Sequence, residues 1–272
     1  MPELPEVENL VLELRRALRN LEISGVEIYH EDILKTPQSW IKKNLPGKQI
    51  LQVQRRGKFI QISLSEGFTL WFHLGMTGQL LLENTAAPLK PHTHFILSLA
   101  GTRQRLLFRD PRRFGRVALT PYRDELILKS VEQLGPEPRE WGQEEFASEI
   151  RSRRGRIKNL LLNQRLMAGL GNIYADESLH RAGIHPFRTG ERIARQRLFR
   201  LHSAICEVLE EACRHGGSTI DDYRHLDGQR GSFQAFHKVY GRFGEGCGSC
   251  GTPIRKIKLS GRSSSFCPRC QR

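Results

Sequence analysis

Apolar residues recur at helical spacing over residues 5–21, where Val7, Leu10, Val11, Leu14, Leu18 and Leu21 fall on one face and predict an amphipathic helix. Pro5 suits the first helical position. Glu6 and Glu8 lie in the first turn and Arg15, Arg16 and Arg19 in the last, each with the sign the helix dipole favours. Residues 1–4 are thereby held at the mouth of a fixed helix. Over residues 25–119 the pattern changes to short alternating runs, among them 50–53, 59–62, 70–72 and 95–97, broken by Gly, Pro and Asn. This predicts a β-sandwich or a barrel. After a linker at Gly135-Pro136-Glu137-Pro138, helical spacing returns over 146–150, 157–162, 172–182 and 189–215. The last of these stops at Gly216-Gly217, where a left-handed cap is expected. Cys206 and Cys213 lie seven apart on its face and read as small core residues. The sequence contains neither an internal repeat nor a low-complexity tract.

Charge narrows the class. Lysine and arginine number 43 against 29 acidic residues, a formal net charge of +14, so the expected partner is a polyanion and nucleic acid is the first candidate. No run approaches the roughly 18 apolar residues of a membrane span, and the acidic start over residues 1–8 lacks the basic and apolar regions of a secretory signal. A cytoplasmic protein with no membrane partner is expected.

Six cysteines are too few to staple 272 residues, and four of them stand as Cys247-x2-Cys250 and Cys267-x2-Cys270 with sixteen residues between the pairs. Four thiolates complete a tetrahedral Zn²⁺ and leave no open position, so one structural zinc is expected. Between the pairs, residues 254–259 alternate like a hairpin strand, with Ser260-Gly261-Arg262 as the turn. Arg255, Lys256, Lys258 and Arg262 would equip that hairpin to read phosphates or bases.

The start Met1-Pro2-Glu3-Leu4-Pro5-Glu6-Val7-Glu8 resembles the N-terminus of the formamidopyrimidine-DNA glycosylase family, and the resemblance runs over nearly the whole chain. Similar blocks stand at Arg55-Arg56-Gly57-Lys58, His73-Leu74-Gly75-Met76-Thr77-Gly78, Asp110-Pro111-Arg112-Arg113-Phe114-Gly115, Gly169-Leu170-Gly171-Asn172-Ile173-Tyr174-Ala175 and Val239-Tyr240-Gly241-Arg242, followed by the zinc tail. The resemblance implies an α+β multidomain protein. Its parts would be an N-terminal β-sandwich with an N-terminal helix over residues 1–132, a helix-two-turns-helix domain over 133–236 and a zinc-finger β-hairpin over 237–272. It further implies a monomer that binds double-stranded DNA in a cleft between two halves, excises oxidised purines and cuts at abasic sites.

The chemistry of the N-terminus can be argued from its residues. Removal of Met1 exposes Pro2 as a free secondary amine with a reference pKa near 8, so a usable fraction is unprotonated at neutral pH; with Met1 retained, the same nitrogen is an inert amide. Attack of such an amine on C1′ of a deoxynucleoside gives an iminium ion, an electron sink for later elimination. Glu3 is placed to act as general acid on the sugar ring oxygen. By resemblance, Lys58 is a cation near the scissile phosphates, and Arg262 is counted with the catalytic residues as well as with the phosphate contacts.

A damaged base must leave the stack before C1′ is reached, and the gap must be filled. Met76, Arg112 and Phe114 match the family's void-filling residues, two apolar wedges and a guanidinium for the orphaned cytosine. Block position assigns phosphate contacts to His73, His92, Arg112, Arg153, Lys158, Asn172 and Tyr240, and places Glu6 with Ser218 and Tyr223 against the everted base. One alternative is the endonuclease VIII branch, which acts on oxidised pyrimidines; it usually has glycine where this chain has Leu4, and it lacks the Arg112-Arg113-Phe114 wedge. Another is a non-catalytic zinc-containing DNA-binding protein, against which Pro2, Glu3 and Lys58 argue.

Overall fold

The computed structural model describes residues 1–121 and 130–272, which form two compact units: residues 1–121 and 130–132 with 215–232, and residues 133–214 with 233–272. In the first, helix α1 (Leu4–Leu18) buries Val7, Leu10, Val11, Leu14 and Leu18, the face its periodicity marks. It ends three residues before the pattern does. Asn20 adopts φ 64° and its N–H donates to Ile50 O at 2.9 Å, so pairing with a distant strand stops the helix where the local sequence would continue it.

Eight strands follow, with a short helix α2 (Gln38–Asn44) that the alternating pattern did not predict. Strands β1 (Ile23–Ile28), β6 (Thr93–Leu99), β7 (Gln104–Arg109) and β5 (Gln79–Asn84) form one antiparallel sheet in that order. Strands β2 (Ile50–Arg56), β3 (Phe59–Leu64), β4 (Phe68–His73) and β8 (Arg116–Pro121) form the other. Strand β3 buries every second residue, the mark of a sheet with one face in the core. Phe72 of β4 meets Phe95 of β6 and Phe108 of β7 at ring separations of 5.9 and 5.8 Å, which joins the sheets into a sandwich. Of the two architectures left open by alternation, sandwich and barrel, the fold is the sandwich.

Residues 215–232 were expected in the helical domain, yet they pack with the sandwich: Tyr223 and Leu226 join its apolar core, and Leu82 N–H on β5 donates to Leu226 O at 2.8 Å.

The second unit is helical. Helices α3 (Gln143–Ser152), α4 (Ile157–Leu162), α5 (Asn172–Arg181) and α6 (Arg195–Arg214) bury Phe146, Leu161, Tyr174, Leu179, Leu201 and Ile205, with α6 packed against α3 and α5. The pattern over 189–215 suggested one helix. The chain instead makes a single 3-10 turn at Gly190–Arg192, because Thr189 bridges to Arg156 and Gly190 N–H donates to Gly155 O at 2.9 Å. Cys206 and Cys213 are half-buried rather than core. The hairpin β9 (Arg255–Leu259) and β10 (Arg262–Phe266) turns through Ser260 and Gly261, both with positive φ (48° and 81°), as a two-residue type I′ turn requires.

Candidate active site and nucleic-acid interface

Pro2 and Glu3 are buried immediately before α1, and Glu3 is its N-cap residue. Both oxygens of the buried Glu6 carboxylate accept backbone N–H groups, Oε2 from Glu3 at 2.7 Å and Oε1 from Ser218 at 2.7 Å. Tyr223 Oη donates to Glu6 O at 3.2 Å. Glu6 therefore clamps the loop after Arg214 to the mouth of α1. Gly217 makes this approach possible: it has φ 77°, and a Cβ there would lie 2.8 Å from Glu6 Oε1. The three residues expected around an everted base do come together, but the ring of Tyr223 lies in the apolar core, so it is no open surface for a base.

A second clamp holds the far end of this strap. Glu13 Oε2 accepts Leu226 N–H at 2.7 Å, and Glu13 Oε1 pairs with His225 Nδ1 at 2.5 Å. The hydrogen bond that His225 donates to Glu13, with added attraction from Glu13 and Asp227, raises the His225 pKa.

Lys58 sits in the tight turn between β2 and β3 and is 7% exposed. Arg55 ties that turn to α1: its Nε donates to Glu8 Oε2 at 2.6 Å and its Nη1 to Gly57 O at 3.1 Å. At the end of β4, burial and the cations of Lys58 and Arg116 push the His73 pKa down to about 4. The ring is neutral at physiological pH. Because His73 Nδ1 accepts Gly75 N–H at 3.2 Å, its proton resides on Nε2. His73 is thus a neutral donor, suited to a phosphate oxygen without adding charge beside Lys58.

Met76 and Phe114 are 43% and 49% exposed on two adjacent loops, so neither side chain belongs to the core. The Arg112 guanidinium lies 4.7 Å from the centre of the Phe114 ring. His92 is exposed, with φ 65°.

In the second unit, Asn172 opens α5 behind Gly171, and its buried Oδ1 has no hydrogen-bond partner among the described residues. The helix N-terminus there points N–H groups outward, a favourable setting for an anion. Arg153 is exposed and paired with Glu149 one turn earlier, its Nε donating at 2.6 Å. Arg262 is exposed at the tip of the hairpin. Lys158 departs from expectation: its side chain is 1% exposed, 2.6 Å from Asp176 Oδ1, and donates to Ser263 O at 2.8 Å. It offers no ammonium to a phosphate, since charge this deeply buried is held by its ion pair. Burial also pushes the Asp176 pKa up to about 7 against the pull of Lys158.

Two acidic residues of α5 organise the zinc tail, a role not foreseen from sequence. Asp176 Oδ2 accepts Ser265 N–H at 2.9 Å, while Glu177 accepts the N–H groups of Lys238, Val239 and Tyr240 at 2.8, 3.0 and 2.8 Å. The available signal was two adjacent carboxylates inside an apolar helical stretch of a basic chain. Four sulfurs of Cys247, Cys250, Cys267 and Cys270 lie within 4.8 Å of one another. Zn–S bonds of about 2.3 Å give tetrahedral S–S edges of about 3.8 Å. The Cys250–Cys267 and Cys247–Cys270 separations of 3.5 and 3.9 Å bracket that edge, so the set fits one structural zinc.

Family models cover the chain in order: the formamidopyrimidine-DNA glycosylase N-terminal domain over residues 1–117, its H2TH domain over 134–224, and the zinc finger found in FPG and IleRS over 244–272. These parts define a zinc-finger DNA glycosylase of base-excision repair. Formamidopyrimidine-DNA glycosylase of Desulforamulus reducens is 44% identical over 276 residues, covering 100% of this chain and 99% of that protein. The same-named protein of Solibacter usitatus is 46% identical over 273 residues, with 100% of each covered. Among solved structures, a point mutant of Lactococcus lactis FPG bound to a Fapy-dG containing DNA superposes with a TM-score of 0.93, 37% identity and full coverage of both chains. MutM (FPG) from Thermus thermophilus gives 0.90 and 40%, covering 99% of this chain and 98% of its own. The chain belongs to the formamidopyrimidine-DNA glycosylase family. No helix among the described residues is long and apolar enough to cross a membrane.

Proposed function

We propose that the protein excises oxidised purines, 8-oxoguanine and formamidopyrimidines, from duplex DNA and then cleaves the abasic strand through an iminium on Pro2. The observation that carries this reading is the α1 mouth, where Pro2 and Glu3 lie buried beside a carboxylate whose two oxygens each accept a backbone N–H. The Lactococcus lactis relatives, solved with Fapy-dG and with abasic-site DNA, support the substrate class. Once Met1 is removed, the Pro2 amine bonds to C1′ as the glycosidic bond breaks and the base leaves with a proton. Glu3 protonates the ring oxygen and opens the sugar. The iminium acidifies the 2′ hydrogen, so the 3′ phosphate is expelled, followed by the 5′ phosphate. Lys58, His73 and Arg262 hold the phosphates, and the protein acts as a monomer in the cytoplasm.

Borohydride should trap protein on DNA, with the sugar located on Pro2 by mass spectrometry. Retained Met1 should abolish trapping and leave the fold intact. Glu3→Gln should cost mainly base excision and spare cleavage of a preformed abasic site, where no base has to be displaced. Trapping that maps to Lys58 would refute the assignment. A second reading has support of its own: the wild-type Lactococcus lactis enzyme was solved with DNA containing an oxidised pyrimidine. Excision rates across a panel of oxidised purines and pyrimidines separate the two.

A further inference from the structure

We infer that Asp110 is the positioning residue that makes the two gap-filling loops one rigid wedge, and through it a determinant of opposite-base specificity. The inference rests on the reading of Met76, Arg112 and Phe114 as the residues that fill the gap.

Asp110 is fully buried at the end of β7, on neither exposed loop tip. Its carboxylate spans both loops. Oδ1 accepts the Thr77 hydroxyl from the Met76 loop and the Arg112 N–H at 3.2 Å, and Oδ2 accepts the Gly115 N–H at 2.7 Å. Arg112 N–H is shared with Thr77 Oγ1 at 3.4 Å, which closes a triangle across the loops. Asp110 is itself held: its N–H donates to His92 O at 2.9 Å, and its carbonyl accepts His94 Nε2 at 2.8 Å. The loops also touch backbone to backbone. A Cβ on Gly75, where φ is 61°, would sit 2.6 Å from Gly115 N and from the Phe114 carbonyl carbon.

The consequence is geometric. The backbone N–H groups of Arg112 and Gly115 end on the two oxygens of one carboxylate, so the segment that carries the Arg112 guanidinium and the Phe114 ring cannot shift without breaking charge-assisted bonds in a dry site. Met76 precedes the hydroxyl bound to the same carboxylate. Both oxygens must accept: an asparagine would turn its NH₂ toward either Gly115 N–H or Arg112 N–H and set donor against donor. A guanidinium reads cytosine only if it arrives at a fixed height and angle, so loss of the hub should blur discrimination before it abolishes DNA binding.

The test uses the whole processed enzyme with Asp110→Asn, Thr77→Val and Thr77→Ser, the threonine variants serving if the asparagine variant fails to fold. Excision of a lesion opposite cytosine should fall about 10-fold or more, and the preference for cytosine over adenine opposite the lesion should shrink by a similar factor. Cleavage at an abasic site in single-stranded DNA, which has no orphaned base and no stack to wedge, should stay within about 2-fold. Thr77→Ser should restore both rate and preference. An unchanged preference in Thr77→Val, or a parallel loss of single-strand cleavage, overturns the inference. Arg112→Ala is the reference variant. A preference lost there but kept in the Thr77 and Asp110 variants overturns this inference alone, whereas a preference kept in Arg112→Ala overturns the gap-filling reading as well.

Discussion

At the scale of single residues, environment sets function more than residue type does. His73 and His225 are both imidazoles near carboxylates or cations, yet the pKa of one is pushed down and that of the other up. The pKa of His73 is depressed to about 4 by burial and by Lys58 and Arg116, so the folded protein refuses a proton that the unfolded chain accepts below about pH 6.5. Stability from this group is therefore complete above that value and lost as pH falls toward 4, by up to about 3 kcal/mol. An NMR titration of the His73 ring should show no midpoint above about pH 5. Replacing Lys58 with methionine should raise that midpoint. A His73 midpoint near 6.5 would mean that the ring is not enclosed as described.

At the scale of elements, the strap over residues 215–232 is the least conventional piece, a loop held at one end by Glu6 and at the other by Glu13. The raised pKa of His225 gives its far end a pH dependence of opposite sign to that of His73. Protonation favours the Glu13 bond, so anchorage is fully present below the ordinary histidine value and weakens as pH rises through the elevated one. Groups facing the ring are Glu13, Asp227 and Tyr223. Amide exchange over residues 218–226 should speed up between neutral and alkaline pH beyond the intrinsic chemical rate, and Glu13→Gln should remove that excess. The zinc hairpin behaves differently, because its order comes from metal and from α5. Cys250→Ser should strip zinc, loosen the strands that carry Arg262 and reduce both DNA affinity and incision. The sandwich should remain folded, which near-ultraviolet dichroism and zinc content would check together.

At the scale of the molecule, the net charge of +14 acts as a field rather than as a set of contacts. Duplex affinity should fall steeply with salt, with a slope of log affinity against log salt near about −5 for about five or six neutralised phosphates. Lys158→Ala should leave that slope unchanged, since its ammonium is bound to Asp176, while Arg262→Ala should reduce it by about 1. Fluorescence anisotropy over a salt series reads both.

Much of this was legible from the chain alone. Helix α1 announces itself through 3.6-residue spacing and terminal charges, the sandwich strands through alternation, and the zinc site through two close cysteine pairs, because each is specified by residues a few positions apart. What lay beyond the sequence depends on partners far along the chain. Asn20 ends α1 because Ile50 receives its N–H, Lys158 is withdrawn from solvent because Asp176 and Ser263 enclose it, and Glu6 binds a loop more than two hundred residues away. The sequence determined which elements form and which chemistry they carry. Tertiary structure alone decided which charges are buried, which histidine is neutral and which carboxylate locks two loops into one wedge, because desolvation and long-range hydrogen bonds exist only once distant segments have met.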